Sequence, residues 1–532
     1  MMCRSTSWVV GVLIMLVSVC WIHARGGEAF ETFGFHIHHR YSDRVKDFLD
    51  FDGLPEKGTF DYYSAMAHRD HIFKARRLAG SSPATTSPAL TFFGGNITYR
   101  LSALGFLHYV FVEVGTPNST YLVALDTGSD LFWLPCDCTS CVRSLNISGQ
   151  NLDLNIYSPN ASSTSKSVPC NSPICGARRG CSITHNACAY RDVYLSSNTS
   201  STGILVDDVL HLVSDGSQKT RVEAPITLGC GISQTGDFLN GGAPNGLFGL
   251  GIDNISVPSI LASKGLTANS FAMCFGPDGI GRIDFGDKGS PDQKVTPFNL
   301  EQLHPTYNIT VTQIVVGNRS TDLEFTAIFD SGTSFTYLND PAYTVITESF
   351  ISQITEPRYR PSTKFIFDYC YDLSPSQRSF AIPDMNLTMK GGNNFFLNDP
   401  IILIRHAGGT AFCLAMVKSE NVNIIGQNFM TGYRIVFDRE EMVLGWQESD
   451  CYDSSKNTLP IGNNSSDAPS PSVFQPQATP SNTPNRSPPS APSPGSSPPP
   501  PRGNSAVHLS SINNKLLVVM TFLFHYFIII YS

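Results

Sequence analysis

The sequence predicts a mostly β protein of two similar lobes related by a pseudo-twofold axis, and three observations predict it. At 532 residues the chain has room for more than one domain and a large core. Runs such as LGFLHYVFVEVG, YLVALD, GILVDDVLHLV and RIDFG are rich in β-branched and aromatic residues, and Gly, Pro, Asn and Ser punctuate them as turns do between strands. Most telling, the stretch Tyr121–Pro135, YLVALDTGSDLFWLP, is echoed in the second half by Ala327–Leu338, AIFDSGTSFTYL. One unit repeated in each half places the two repeats face to face.

Each repeat is an apolar, strand-like run that ends in Asp-[Thr/Ser]-Gly-[Ser/Thr] and then resumes an apolar course. Asp126 and Asp330 therefore sit at the ends of buried strands, on turns that Gly128 and Gly332 let bend tightly. A lone Asp-Thr-Gly arises on ordinary turns. Two in matching context, each with a hydroxyl residue at the same offset (Ser129, Thr333), point to a working pair. Two carboxylates within hydrogen-bond reach share one proton. The ionised member can take a proton from water while the protonated one polarises a peptide carbonyl. That chemistry suits direct attack of water on an amide at acidic pH.

On these residues the sequence resembles the pepsin-like aspartic proteases, and within them the plant branch with a cysteine-rich first lobe, the nepenthesin-like enzymes. The resemblance covers most of residues 95–451. It implies a two-lobed fold with a central active-site cleft, Asp126 and Asp330 as the catalytic dyad, and Ser129 and Thr333 hydrogen-bonding the dyad's outer oxygens. It also implies a monomer acting on a peptide or protein substrate with no metal or organic cofactor. The family's apolar-apolar-Gly element, which supports each active-site loop, falls on Leu247-Phe248-Gly249 and Ile424-Ile425-Gly426, and its core tryptophan on Trp133. A hairpin flap covers the cleft in this family, its tyrosine lying upstream of a stretch matched here by Thr202-Gly203-Ile204-Leu205. That places the flap tyrosine at Tyr194, with Tyr190 as the competitor. Leu195 follows Tyr194 where the family usually has Gly, so a wider, more mobile flap is expected.

Taken in order, residues 1–24 have a basic start, a short apolar run and Ala24 at the end, the pattern of a signal peptide. Residues 25–95 are locally basic in an acidic chain, and the resemblance implies a propeptide whose cations pair with cleft carboxylates until acid weakens the pairing. The N-terminal lobe follows as 96–300, with the flap and a cysteine-rich insertion, then the C-terminal lobe as 301–452. Residues 453–504 are dominated by Ser, Pro and Asn and read as a stalk. In 505–532 a polar spacer leads to an apolar tail, which with the small residues around Asn504 and Ser505 matches a GPI-attachment signal. The expected location is the outer face of the plasma membrane, held to its outer leaflet by a lipid anchor, or the cell wall.

Charged residues make up 15% of the chain and the net charge is −8, so nothing basic suggests nucleic acid. Of fourteen cysteines, Cys3 and Cys20 lie in the leader, which leaves an even twelve. Cys136, Cys138, Cys141, Cys170, Cys175, Cys181 and Cys188 crowd together. Their C-x-C-x-x-C start would suit zinc in a reducing compartment, but a secretory route favours a disulfide-stapled surface insertion of open connectivity. Cys370 with Cys413, and Cys274 with Cys451, are the candidate pairs beyond it. Sequons at Asn96, Asn118, Asn146, Asn160, Asn198, Asn254, Asn308, Asn318 and Asn386 are candidate glycan sites. Two rival functions stand beside the protease: a non-enzymatic binding or inhibitor protein of the cell wall on the same fold, and, more remotely, a glycosidase with two carboxylates.

Overall fold

The computed structural model describes residues 32–49, 57–66, 107–451 and 477–480, apart from single residues and short internal stretches such as 195–198 and 215–219. The expected leader, most of the expected stalk, and the expected attachment signal with Asn504 and Ser505 lie outside the described residues.

The chain is mostly β, and its two halves are built on one plan. In the first half the hairpin His108–Val114/Ser119–Asp126 lies antiparallel, and Leu247–Gly249 runs parallel to its second strand, with Gly249 opposite Asp126. Ser119–Asp126 is buried from Tyr121 onward on both faces, which is why its sequence reads as an unbroken apolar run. The second half repeats the plan. Asn308–Val316 and Arg319–Phe329 form the hairpin, and Ile424–Ile425 runs parallel to Arg319–Phe329. Its turn is the two residues Gly317 and Asn318, and Gly317 has φ +55°, a left-handed conformation that favours glycine.

A third layer joins the halves. Lys294–Pro297, Val443–Glu448, Tyr433–Asp438, Ser270–Phe275 and Ile280–Phe285 are consecutive strands of one sheet that continues into the first half. Between Ile280–Phe285 and His108–Val114 in that sheet lies Phe33–His39, part of the expected propeptide. Phe33 and Ile37 of this strand belong to the main apolar core. Residues 57–66 dock on the second half. Phe60 stacks on Phe365 at 4.4 Å, Tyr63 packs with Phe335 and Tyr337, and Arg405 N donates to Gly58 O at 3.0 Å.

Candidate active site

Asp126 ends its strand and Asp330 directly follows Arg319–Phe329, so the parallel pairing of each half delivers one carboxylate to a loop. Both are buried, at 9% and 3% exposure. Gly128 N donates to Asp126 Oδ1 at 2.9 Å and Ser129 Oγ to Oδ2 at 2.6 Å. In the second half Gly332 N donates to Asp330 Oδ1 at 3.0 Å and Thr333 Oγ1 to Oδ2 at 2.5 Å. Across the halves, Thr127 Oγ1 reaches Asp330 Oδ1 at 3.5 Å, so the two loops meet. Each loop is backed the same way: Gly251 N donates to Ser129 O at 2.9 Å, and Gln427 N to Thr333 O at 2.8 Å. Gly249 and Gly426 leave no room for a side chain, because a Cβ on either would lie 2.2 Å from a backbone oxygen of its own loop, that of Asp130 or of Phe335.

Beside the first loop stands an aromatic group. Trp133 is fully buried, and its Nε1 donates to Tyr194 Oη at 3.0 Å. Phe238 meets both rings edge-on at 5.0 Å. Burial, with Asp192 and Asp126 nearby, holds the Tyr194 phenol well above its ordinary pKa. Tyr190 instead lies inside the strand pair, its hydroxyl 2.8 Å from Ser201 Oγ. Tyr194 N donates to Thr199 O at 2.8 Å, which closes the hairpin neck. Its tip, with Leu195 and Asn198, lies outside the described residues, and so does the expectation of a wider flap. Two further acids belong to this half. Asp130, which accepts from Asp253 N at 2.9 Å, is pushed up chiefly by burial. Asp192 is pushed up to about 6 by burial, with Asp130 and Asp253 adding to the shift against Arg179.

Comparison with known proteins settles the family. The chain is 56% identical to aspartyl protease family protein 1 of Arabidopsis thaliana, over 90% of this chain and 93% of that one. The chain belongs to the pepsin-like aspartic protease family. Within the family, residues 108–287 match the description "Xylanase inhibitor N-terminal" and 306–448 "Xylanase inhibitor C-terminal". Nepenthesin-1 of Nepenthes gracilis is a more distant relative, 28% identical over 64% of this chain and 77% of that one. Conglutin gamma, a basic 7S globulin from lupine seeds, shares the fold at TM-score 0.52 and 20% identity, covering 65% of this chain and 92% of that one.

In this member of the aspartic protease family, the twelve cysteines from Cys136 to Cys451 are all in disulfides. Cys138–Cys141, Cys170–Cys181 and Cys175–Cys188 staple the insertion. Cys136 requires a correction: it is not part of a surface insertion but is buried in the lobe core, bonded to Cys230 of the neighbouring parallel strand. Cys274 pairs with Cys451, and Cys370 with Cys413. Of the sequons, Asn118, Asn160, Asn254 and Asn318 are exposed. Asn308 is half-buried in its strand and accepts from Asn299 Nδ2 at 2.7 Å, and Asn386 is half-buried in a sheet. Asn96, Asn146 and Asn198 are not described at side-chain level. Sequence reading passed over Phe238, Cys230, Asp130 and Asp192, whose neighbours come from distant parts of the chain.

Proposed function

We propose that the protein is an aspartic endopeptidase acting at acidic pH, made with a propeptide and carried to the outer face of the plasma membrane on a lipid anchor. One observation carries the reading: Asp126 and Asp330 are gripped alike, each by a main-chain N–H and a hydroxyl, on two loops that meet at Thr127. In the reaction one carboxylate is ionised and takes a proton from water, whose oxygen attacks the peptide carbonyl carbon. The other carboxyl gives its proton to the carbonyl oxygen. The carboxyl that took the water's proton passes it to the amide nitrogen, the C–N bond breaks, and a hydroxyl of the tetrahedral intermediate returns a proton to the other carboxylate as the product acid forms. Ser129 and Thr333 hold the outer oxygens so that the pair stays aligned. Tyr194, positioned by Trp133, closes over the peptide and excludes water.

Incubating the matured protein with a mixed peptide library across pH 3–8 tests this reading. Cleavage that peaks in acid and vanishes in Asp126→Asn supports it; equal cleavage by Asp126→Asn sinks it. Release from membranes by phosphatidylinositol-specific phospholipase C supports the anchor, while a mature C-terminal peptide still containing Phe527–Tyr531 excludes it. The family description "Xylanase inhibitor" favours a second reading, a binding protein on this fold. Binding to a partner hydrolase that survives Asp126→Asn, without peptide cleavage, would establish that alternative.

A further inference from the structure

Behind the Asp126 loop runs the segment 250–253, and its main-chain donors hold that loop from the rear. Leu250 N donates to Asp126 O at 2.9 Å, Gly251 N to Ser129 O at 2.9 Å and Asp253 N to Asp130 Oδ1 at 2.9 Å. Residues from the other half of the chain hold this segment in turn. Tyr307 Oη donates to Leu250 O at 2.6 Å, and Arg439 Nη2 donates to Ile252 O at 2.8 Å. Arg439 Nη1 also donates to Ser256 Oγ at 3.2 Å. Both side chains are buried, at 1% and 3% exposure, so these bonds do not compete with bulk water.

Tyr307 has a second attachment. Its carbonyl accepts from Phe329 N at 2.9 Å, and Phe329 is the residue before Asp330. One residue thus touches the support of Asp126 with its phenol and the approach to Asp330 with its backbone. Its ring is wedged between Phe298, Phe271 and Phe437, with Phe437 4.6 Å away, so the phenol has little freedom to drift.

We infer that Tyr307, with Arg439 as a second arm, is a positioning residue that sets the separation of Asp126 and Asp330 by tying the rear of one catalytic loop to the root of the other. The inference rests on the peptidase reading for its kinetic consequence but not for its geometric one. Two carboxyls share a proton only while they are close, and closeness is what splits their two apparent pKa values. Loosening the tie should narrow that split and misplace the attacking water.

The test is Tyr307→Phe, which keeps the ring and removes only the hydroxyl, against Tyr433→Phe. Tyr433 Oη also donates to a main-chain oxygen, that of Phe396, at 3.0 Å, but away from both loops. Expected for Tyr307→Phe is a fall in kcat of about tenfold to a hundredfold with KM little changed. The limbs of the pH profile should draw together, and Tyr433→Phe should lower Tm alone. The split between the two carboxyl pKa values, read by ¹³C NMR of labelled aspartate, should narrow in Tyr307→Phe whether or not the protein turns over peptide. An unchanged split overturns the inference, as does a fall in kcat that Tyr433→Phe reproduces at equal loss of Tm. A wild-type protein without turnover defeats the peptidase reading only, and the NMR split still decides this one. Should Tyr307→Phe fail to fold, Arg439→Lys, which keeps the charge but loses the forked contact, must narrow the split; an unchanged split there is equally fatal.

Discussion

Trp133 and Tyr337 stand seven residues after Asp126 and Asp330, and each pairs with its half's apolar-apolar-Gly strand, Trp133 with Leu247 and Tyr337 with Ile424. The backbone around them is the same; what covers them is not. Trp133 is met by Tyr194 and Phe238 of its own half. Tyr337 packs in a cluster with Tyr63 and Met66, which arrive from the N-terminal segment. In the second half a hydroxyl and an amide side chain also brace the loop. Gly426 N donates to Thr336 Oγ1 at 3.1 Å, and Thr336 Oγ1 to Asn428 Oδ1 at 3.1 Å. A repeated loop can thus be covered by residues of its own half in one case and by the N-terminal segment in the other.

The likeness of the loops breaks or holds on the dyad itself. Asp126→Asn and Asp330→Asn should each lower kcat by about 10²–10⁴-fold with the fold intact, because each removes one carrier of a shared proton. Matched losses sharpen the symmetry. Substantial turnover by either variant would end the claim that the halves contribute equally.

The cover supplied by the N-terminal segment gives the next largest effect. Tyr63→Ala should destabilise the uncleaved chain by about 3 kcal/mol, since the residue is 9% exposed against Phe335, and should speed its limited proteolysis. Acid should act on the same segment through His38, which packs on Phe111 and is pushed down to about 4 by burial, His36 and Arg44. Its folded pKa lies below the unfolded value, so the unfolded chain binds the extra proton and stability falls between about pH 6.5 and 4. His38→Leu should flatten that fall in Tm. A chain whose proteolysis is indifferent to Tyr63 has its second-half cover elsewhere.

The cover of the first half should respond to one atom. Tyr194→Phe removes the bond to Trp133 Nε1, an exchange of about 1 kcal/mol, and should lower kcat/KM roughly fivefold. Tyr190→Phe, which loses its contact with Ser201, should change Tm more than turnover. The reverse pattern would move the flap role to Tyr190.

How much of this was legible follows from distance along the chain. The loops were readable because each packs its strand, turn glycine and hydroxyl into a dozen consecutive residues, and because the pattern occurs twice. The apolar-apolar-Gly strands were readable only through family resemblance, since LFG and IIG are ordinary buried strand ends until paired with Ala124–Asp126 or Ile328–Phe329. Cys136 was misplaced for the complementary reason. It is next to the insertion in sequence, but its partner Cys230 is on a strand brought alongside by parallel pairing, which no local spacing encodes. Phe238 and Tyr307 are likewise ordinary aromatics in sequence, and their roles exist only in their contacts.

A last difference concerns charge, and it again separates the halves. Asp192 lies on the hairpin strand two residues before Tyr194, opposite Ser201. Burial, together with Asp130 and Asp253, raises its pKa to about 6. A carboxyl raised in the folded state keeps its proton there after the unfolded chain has released it. Stability is therefore lost as pH climbs from about 3.8 to 6, and the loss is complete above that. The first half should therefore be more stable in acid than at neutral pH. Asp192→Asn removes the titration but keeps the shape, so it should raise stability at pH 7 by on the order of 1–2 kcal/mol and leave it unchanged at pH 3. Thermal melts of parent and variant at half-unit intervals from pH 3 to 7 measure the difference. Curves that stay parallel over the whole range would mean that Asp192 ionises as it does in the unfolded chain. The acid preference of the first half would then have no source in this residue.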